Sequence, residues 1–511
     1  MRKTKNKIRA ETTNNTNKKQ VTPGQIRSIK KIRVHNTGYG NYGASKSKNT
    51  LKGWNSAGGD TYKDINMNLP TLRERARDLN AGAPIATGAV KTTVTNVVGA
   101  GLRLKPRINK KILGLSEEEG SLLEEQILNE FNMWANSKID VLGLLNFYSL
   151  QELAFLSVLL SGEVFVLLPF LETEENPYGL KVQLIEADRI CNEKNKKNTD
   201  EIIDGVVIGK NGRIKAYQVA DKHPLGEKTN YKVKTVNVYG SNSQKRNIIH
   251  LLGVERPGQI RGIPFIAPVI EKLKQLDRYT DAELVAAVVS GLFTVFIENE
   301  KIQTGNALDG LSNISDEDKQ DTSENNIELG NGAIWELEEG QKIKETNPGR
   351  PNTAFDGFTK SIIEQIGTAL EIPFDVLLKH FSSSYSASRA ALQEAWKMFR
   401  KRRDWFAQGF CQVIYEEWQK EAVLRDRIKL PKYFNDPLYR YAYSQAEWIG
   451  PSQGQIDPLK EVVAAAKRIE TNISTREKEA LEMNGSDAYL NIIQNKKDKK
   501  IIEEMEEIES E

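Results

Sequence analysis

Gly38, Gly40 and Gly43 have the G-x-G-x-x-G spacing that lets the backbone of a dinucleotide-binding fold approach a pyrophosphate group closely. That chemistry also requires a strand before the glycines and, after them, a helix that packs on a sheet. No convincing strand precedes Gly38, and residues 44–50 are polar. The segment is therefore typical of a flexible loop, and we predict no dinucleotide cofactor.

A metal site would need ligand side chains at suitable spacings, and the sequence offers two candidate sets. The histidines are scattered and have no partners at ligand spacing: His35, His223, His250 and His380. The acidic segment 309–324 does not have the spacing of an EF-hand and is typical of a solvated loop. The sequence therefore predicts neither a metal site nor any other cofactor.

A run of serines, at Ser382, Ser383, Ser384 and Ser386, offers hydroxyls but has no base nearby. We expect one of these serines to cap the helix that follows rather than to act as a nucleophile. The Walker A, H-E-x-x-H, G-x-S-x-G and C-x-x-C patterns do not occur in the sequence. A chain of 511 residues without a catalytic constellation is predicted to be a structural or binding protein and not an enzyme.

Charge is unevenly distributed, although the net charge is only +3. Residues 1–34 hold eleven lysines and arginines against one acid, which fits either a flexible arm or a nucleic-acid contact. The cluster Arg400–Arg403 fits either a solvated helix face or a contact with a polyanion. Residues 501–511 hold six glutamates and no base, so we expect a disordered, solvated tail.

Two cysteines cannot build a disulfide framework, which indicates a reducing compartment. The amino terminus lacks the apolar core of a signal peptide. The longest nearly uncharged run, residues 284–297, is too short to span a bilayer. We therefore expect no membrane association.

The element that must position any site is a long helix predicted from Pro264 to Gly291, roughly 40 Å at ~1.5 Å per residue. One face is apolar at intervals of three or four residues, at Ile266, Val269, Ile270, Leu273, Leu276, Thr280, Leu284 and Ala287. Another face carries an alternating-sign row, which consists of Glu271, Lys274, Arg278 and Asp281. A helix of this length needs other helices beside it, either in a core or in the wall of a ring assembly.

The remaining pattern predicts a helix-rich α+β fold. Helical periodicity covers residues 72–80, 85–98, 116–134, 149–160, 355–370 and 388–424, with two shorter helices after Asp457 and Ser474. Ser116 with Glu119 and Ser474 with Glu477 have the spacing of capping boxes. Alternation with a period of two predicts strands of one continuing sheet at 164–168, 181–185, 206–208, 214–219, 233–239 and 248–252. Between two of them, Asn211-Gly212 indicates a hairpin turn.

The order of these segments resembles the portal proteins of tailed bacteriophages, specifically the lambda family. The stretches that carry the resemblance are LRERARDL (72–79), NVVGAGLRL (96–104), GEVFVLLPF (162–170), QLIEADRI (183–190), RPGQIRGIP (256–264), DRYTDAELVAA (277–287), SSYSASRAALQEAWKMF (383–399) and WIGPSQGQIDPLKE (448–461). They stand in family order and span residues 40–490. The basic arm and the glutamate-rich tail match nothing in it.

The resemblance implies a portal fold with a wing, stem, clip and crown, assembled as a ring of usually twelve copies. The segments it implies are a disordered basic arm (1–40), a wing of helices and sheet (41–263), a stem helix (264–291), a clip (292–348), a second stem helix (349–372), a tunnel loop (373–387), a long helix with wing return and crown (388–490) and an acidic tail (491–511). Within the clip, strands 292–297 and 333–337 are expected to pair.

The resemblance also implies a channel for double-stranded DNA at one capsid vertex, through which DNA is packaged and ejected. The tunnel loop bordering DNA would contain Lys379, His380, Ser382, Ser383, Ser384 and Tyr385. Small hydroxyls and few cations suit a channel in which a duplex slides, because fixed arginines would pin the phosphates. The row Glu271, Lys274, Arg278 and Asp281 would face neighbouring subunits and set their register.

Implied partners are further copies of the chain, non-specific double-stranded DNA, the terminase large subunit, the major capsid protein or scaffold, and a head-tail adaptor protein. The implied location is the virion, after assembly in the host cytoplasm. Three alternatives remain open at the sequence level: the portal of a prophage-derived gene-transfer or defective particle, an enzyme with an unrecognised site between sheet and helices, and a monomeric nucleic-acid-binding protein.

Overall fold

The structure is a computed structural model. It describes residues 44–45, 48–54, 56–174, 176–194, 196–227, 230–241, 245–291, 295–299, 341–345, 354–381, 384–454 and 457–510, with backbone alone at 289–291, 295–299, 341–345, 385 and 504–510. Several predictions fall outside the described residues: the glycine motif at 38–43, the basic arm, the acidic segment 309–324, the strand at 333–337, and Ser382 with Ser383.

The chain divides into two compact units, residues 1–58 and 59–511. Where it is described, the first unit contains a single turn of 3-10 helix at Asn49–Leu51. All elements named below belong to the second unit.

Helices dominate the second unit. In the described residues they are α1 (Thr61–Asp64), α2 (Leu69–Gly82), α3 (Pro84–Val97), α4 (Lys110–Leu113), α5 (Glu117–Asn136), α6 (Phe147–Ser161), α7 (Ile270–Gly291), α8 (Phe355–Ala369), α9 (Phe374–Leu378), α10 (Tyr385–Phe406), α11 (Gln412–Leu424), α12 (Pro437–Ser444), α13 (Pro458–Glu470), α14 (Arg476–Asn484) and α15 (Ala488–Ser510). The predicted helix-rich fold is confirmed.

Strands of the second unit are short and antiparallel. They are β1 (Arg103–Pro106), β2 (Glu163–Leu167), β3 (Gln183–Ile185), β4 (Ile202–Ile203), β5 (Val206–Ile208), β6 (Ile214–Ala220), β7 (Val233–Asn237), β8 (Ile248–Leu252), β9 (Val295–Asn299), β10 (Gln341–Glu345) and β11 (Ala446–Ile449). They form four sheets, in the orders β1-β11, β10-β9, β3-β2-β8 and β4-β5-β6-β7.

The prediction that all these strands continue one sheet is wrong, because β8 pairs with β2 and not with β7. β2 is buried along nearly its whole length, and a strand without a solvent face takes the centre of a sheet with a partner on each side. The predicted hairpin is confirmed: β5 and β6 pair antiparallel, and Gly212 between them has a φ of 76°. The strand predicted at 292–297 lies at β9, and its partner is β10.

An aromatic cluster forms the centre of the largest hydrophobic core. Phe131 of α5 packs edge to face on Trp418 of α11, with ring centroids 5.1 Å apart, and on Phe147 of α6 at 5.6 Å. All three side chains are fully buried. This cluster joins α5 and α6 to α11, so the core depends on residues almost 300 positions apart.

Proline sets the ends of two helices differently from the prediction. Pro268 lies in a 3-10 turn, Ala267–Val269, so α7 begins at Ile270 and not at Pro264. After Pro373 the segment predicted as loop forms α9, because Val376 and Leu377 are buried. The long helix predicted at 388–424 begins earlier, at Tyr385, and contains a π-helical turn at Ala407–Cys411.

Capping explains most of the other helix ends. The box of Ser116 and Glu119 is confirmed, since each side chain accepts from the other residue's backbone N–H. The box of Ser474 and Glu477 is wrong, because Thr475 is the cap and accepts from the Lys478 N–H at 3.2 Å. The expected disordered tail is helical as α15, where Lys499 and Lys500 stand four residues before glutamates.

Gly162 and Gly262 pack backbone against backbone where α6 meets β2. A Cβ on Gly162, which has a φ of 84°, would lie 2.3 Å from the Gly262 carbonyl carbon. We predict that Gly162→Ala lowers the free energy of unfolding by about 2–5 kcal/mol, from left-handed strain plus overlap. Chemical denaturation would measure this loss.

The matched control is Gly212→Ala, where φ is 76° but no atom lies within 4 Å of the added Cβ. This variant should lose only the strain of the left-handed backbone, about 1–2 kcal/mol. Equal losses at the two positions would show that the backbone contact does not matter.

Candidate functional site

A buried carboxylate, Glu163, is the centre of a cluster of charged and polar side chains in the second unit. Its Oε1 accepts from Arg73 Nη2 and from Arg261 Nε, each at 2.6 Å. Its Oε2 lies 2.7 Å from His250 Nε2 and accepts from the Gly262 backbone N–H at 2.9 Å. Both oxygens are therefore fully used.

Burial and charge act in opposite directions on this cluster. Burial alone would raise the pKa of Glu163, but Arg261, the His250 hydrogen bond and Arg73 together hold that pKa far below its usual value. Burial lowers the pKa of His250, so the ring is neutral in the native state and its Nε2–H donates to the carboxylate. The charge at the centre is therefore that of a carboxylate shared between two guanidinium groups.

The cluster joins four chain segments that are distant in sequence. Arg73 comes from α2, Glu163 from β2 and Arg261 from the loop before α7. Arg261 also donates to the carbonyl oxygens of Ala187, Ile190 and Asp204, at 2.8, 3.1 and 2.6 Å. Four of the stretches that carry the sequence resemblance, 72–79, 162–170, 183–190 and 256–264, thus meet around one carboxylate.

A second junction joins the end of α3 to the long helix. Arg403 donates to the carbonyl oxygens of Asn96 at 2.7 Å and Val97 at 3.0 Å, which are among the unpaired acceptors of the helix end. Next to them, a Cβ on Gly99 would lie 2.5 Å from Pro451. β1 and β11 then pair antiparallel. Two further resemblance stretches, 96–104 and 448–461, therefore also meet in space.

The basic cluster Arg400–Arg403 is divided by this junction, contrary to both sequence interpretations. Arg402 is partly buried, with its guanidinium 4.6 Å from the centre of the Phe265 ring. Burial lowers the pKa of Arg403 to about 10. Within this cluster, only Arg400 and Lys401 are exposed. The other two side chains, Arg402 and Arg403, therefore stabilise the fold and do not face water or a polyanion.

The second half of α7 is largely uncovered by the rest of its own chain. Leu273 and Leu276 are buried, but Leu284 further along the same stripe is 66% exposed and Val288 is 56% exposed. The predicted row Glu271, Lys274, Arg278 and Asp281 is exposed throughout. Lys274 pairs with Asp277 at 3.2 Å rather than with another member of the row. α7 therefore presents the charged row outward mainly along its first half and apolar side chains outward along its second half.

α8 runs beside α7 and holds it by aromatic contacts. Tyr279 of α7 stacks on Phe355 of α8, with ring centroids 5.6 Å apart, and meets Phe358 edge to face at 5.1 Å. Phe358 is still 52% exposed. The two helices thus form a pair with part of its apolar surface uncovered.

The predicted tunnel segment is anchored at both ends. Lys379 ends α9 with a φ of 54°, and the backbone N–H groups of Lys379 and His380 both donate to the Asp375 carbonyl oxygen. Lys379 and His380 are exposed. Ser384 caps α10 by accepting from the Ala387 N–H at 3.4 Å, as expected of one serine in the run, and Tyr385 is the first residue of that helix.

Glu163, Arg73 and Arg261 were not identified from the sequence as the centre of the fold. His250 was considered only as a possible metal ligand without a partner at ligand spacing. A glutamate inside the apolar run GEVFVLL was the available signal, because a carboxylate buried in a strand requires partners. In the described part of the chain, no group of three or more His, Cys, Asp or Glu side chains could hold a metal ion. None of the helices described is both long and apolar enough to cross a bilayer.

Comparisons with known proteins give a family. A family model described as phage portal protein, lambda family, matches residues 47–403. The portal protein of Escherichia phage N15 is 25% identical over 478 residues, which cover 90% of this chain and 88% of that one. Portal protein B of Escherichia phage lambda is 24% identical over 456 residues, covering 86% and 85%.

A solved structure, the neck of a native gene transfer agent particle computed with C12 symmetry, is 13% identical to this chain. The superposition covers 82% of this chain and 94% of that chain, with a TM-score of 0.43.

Replacing Glu163 tests the central cluster. Glu163→Gln leaves two buried guanidinium groups without a counter-charge, and we predict that it lowers the free energy of unfolding by about 3–5 kcal/mol. Glu193→Gln is the control, because Glu193 pairs with Lys196 while both side chains are more than half exposed. That variant should change stability by less than about 1 kcal/mol. Similar losses in both variants would contradict the proposed role of the cluster.

The cluster also predicts a loss of stability in acid. Both Glu163 and His250 have lowered pKa values, so the unfolded chain binds more protons than the native one. Stability should fall as the pH drops below the unfolded-state values of 6.5 for histidine and then 4.5 for glutamate. Thermal unfolding between pH 8 and 4, at roughly half-unit steps, measures this.

His250→Gln separates the two contributions, because glutamine can still donate to Glu163 but does not titrate. We expect the decrease between about pH 7 and 5 to become smaller in this variant. His380→Gln is the control, since the His380 side chain is exposed and lies outside the cluster. An unchanged pH profile in His250→Gln would contradict the assignment of this part of the pH dependence to His250.

Proposed function

Since this chain belongs to the lambda family of phage portal proteins, we propose that it assembles into a closed ring whose axial channel passes double-stranded DNA into and out of a phage head. A portal protein is a structural component of the virion, in accordance with the absence of catalytic motifs from the sequence.

One observation carries the ring proposal: α7 is half buried in its own chain and half uncovered. A monomer gains nothing from exposing Leu284 and Val288 at helical spacing on a stripe that is buried further up. Neighbouring copies would cover these side chains and Phe358, and the charged row would set their register. Identical contacts from each subunit to the next close into a ring when the rotation per subunit is right.

The family resemblance supplies the domain roles. We assign α7 and α8 to the stem, β9 and β10 to the clip, residues 373–387 to the tunnel segment, and α13 and α14 to the crown. Lys379 and His380 would border the DNA, where one exposed lysine and one exposed imidazole per subunit contact phosphates without holding the duplex in one position. We propose twelve subunits, assembly in the host cytoplasm, and docking to the terminase large subunit, to the capsid protein or scaffold, and to a head-tail adaptor.

Negative-stain electron microscopy of the purified chain, with its mass in solution, tests the ring. We expect closed rings with an axial hole, of about twelve subunits as the family resemblance implies. The variant Lys274→Glu/Arg278→Glu should form fewer rings, because it converts the alternating row to a single sign. Lys272→Glu, an exposed position on another side of α7, is the control. A wild-type chain that stays monomeric across concentration and salt would count against the proposal.

Replacing Lys379 and His380 of the tunnel segment tests the channel. We predict that Lys379→Gln/His380→Gln leaves the ring intact but reduces the amount of DNA retained in particles, because two phosphate-attracting groups per subunit are lost. The measurement is nuclease-resistant DNA per particle. Lys210→Gln, at an exposed hairpin position, is the control. Loss of the ring itself would mean that this segment supports assembly and not the channel.

A further inference from the structure

α13 is an amphipathic helix whose apolar face points away from its own chain. Leu459, Val462 and Val463 lie on one face and are 76%, 51% and 61% exposed. The side toward the chain contains the buried Ala465 and the charged Arg468, whose Nε donates to Glu479 Oε1 at 2.8 Å. Ion pairing thus holds α13 to its chain, while its apolar side chains face outward.

The orientation of α13 is the reverse of that expected for a surface helix, whose apolar face packs on its own chain. Single exposed apolar residues are ordinary, but a row at helical spacing on an amphipathic helix marks a contact surface. The row needs a partner with an apolar surface of its own.

A matching surface lies at the start of α15 in the same chain. Tyr489, Leu490 and Ile493 are 72%, 62% and 38% exposed. The helix start that carries them is held in place by Asp487, whose Oδ1 accepts from the Tyr489 N–H at 2.8 Å and the Leu490 N–H at 3.2 Å. Since both surfaces are exposed, neither covers the other within one chain.

We infer that the outward face of α13 in one subunit packs on the start of α15 in the next subunit around the ring. The inference rests on the proposed ring, and it adds a contact outside the stem. The partner of the α13 face is a second copy of the chain, because the chain carries both contact surfaces on different helices. Such a head-to-tail contact continues from subunit to subunit and closes only in a ring.

Spacing and charge support this pairing. In a parallel alignment with Leu459 opposite Tyr489, Val463 falls opposite Ile493. Glu470, at the end of the α13 row, then falls opposite Lys500, and both are exposed. Among the described residues, Glu470 pairs with Lys467, three residues away, and an exposed pair of this kind is readily exchanged. The apolar contact is thus followed by a favourable charge contact.

Cysteine cross-linking tests the pairing in the full chain. Val463→Cys and Ile493→Cys place one thiol on each face. The doubly substituted chain should give, after oxidation, a ladder of covalent multimers on a non-reducing gel. A mixture of the two singly substituted chains should give dimers, and each single variant alone should give none. The native Cys411 is buried and Cys191 is partly buried, so the wild type should not form the ladder.

A second variant measures the contribution of the face. Val462→Asp/Val463→Asp buries two charges in the contact, and the concentration needed to form rings should rise by at least about tenfold. Lys478→Asp, an exposed position on α14 outside both faces, should cause a smaller rise. Circular dichroism checks that the variants are folded.

The outcomes separate this contact from the ring. Wild-type rings that give no ladder would overturn the inference and leave the ring standing. Cross-links in Val463→Cys alone would overturn it in favour of like-with-like pairing of α13. A wild-type chain that never forms rings would overturn the proposed function and this contact together.

Discussion

The fold of the second unit depends on keeping one carboxylate ionised in a place without water. Glu163 can be buried only because Arg73, Arg261 and His250 satisfy both of its oxygens. Each partner comes from a different segment, so the requirement to neutralise one charge fixes how α2, β2, β8 and the loop before α7 lie relative to one another. A purely apolar contact of the same area would allow these segments to slide, whereas hydrogen-bonded guanidinium groups accept a carboxylate in few geometries.

The position of α7 follows from this cluster. Arg261 and Gly262 belong to the segment that leads into the helix, and both bind Glu163. The root of α7 is thereby fixed against β2, while its far half leaves the body of the chain. Together with the aromatic contacts of Tyr279 on α8, this arrangement makes a packed pair of helices that extends from a hydrogen-bonded base. A subunit of a ring benefits from such a pair, because small errors of angle at the root would accumulate around the assembly.

Local patterns predicted most of the elements, and long-range contacts explain the failures. The box at Ser116, the hairpin at Gly212 and the helix-rich α+β class depend on residues close in sequence, and they were correct. The pairing of β8 with β2 joins residues more than 80 positions apart, which periodicity does not encode. The roles of Arg402 and Arg403 were missed for the same reason, since a charged run on a helix is identical in sequence whether it faces water or a helix end. For the candidate site, the exposure of the α7 row was predicted from the alternation of charge, whereas the cluster around Glu163 required the fold.

The π-helical turn at Ala407–Cys411 separates two halves of what the sequence presents as one helix. Such a turn accommodates one residue more than an α-helical turn, which rotates the face of everything after it by about 100°. α10 can therefore direct Arg402 and Arg403 toward Phe265 and the end of α3, while α11 directs Tyr415 and Trp418 into the aromatic core. Gly409 sits inside the turn against Leu251 of β8, where a Cβ would lie 2.4 Å from a methyl carbon. The continuous helix from α10 to α11 thus contacts two layers of the fold through differently oriented faces. Deletion of one residue in this turn would rotate one set of contacts relative to the other without interrupting the helix.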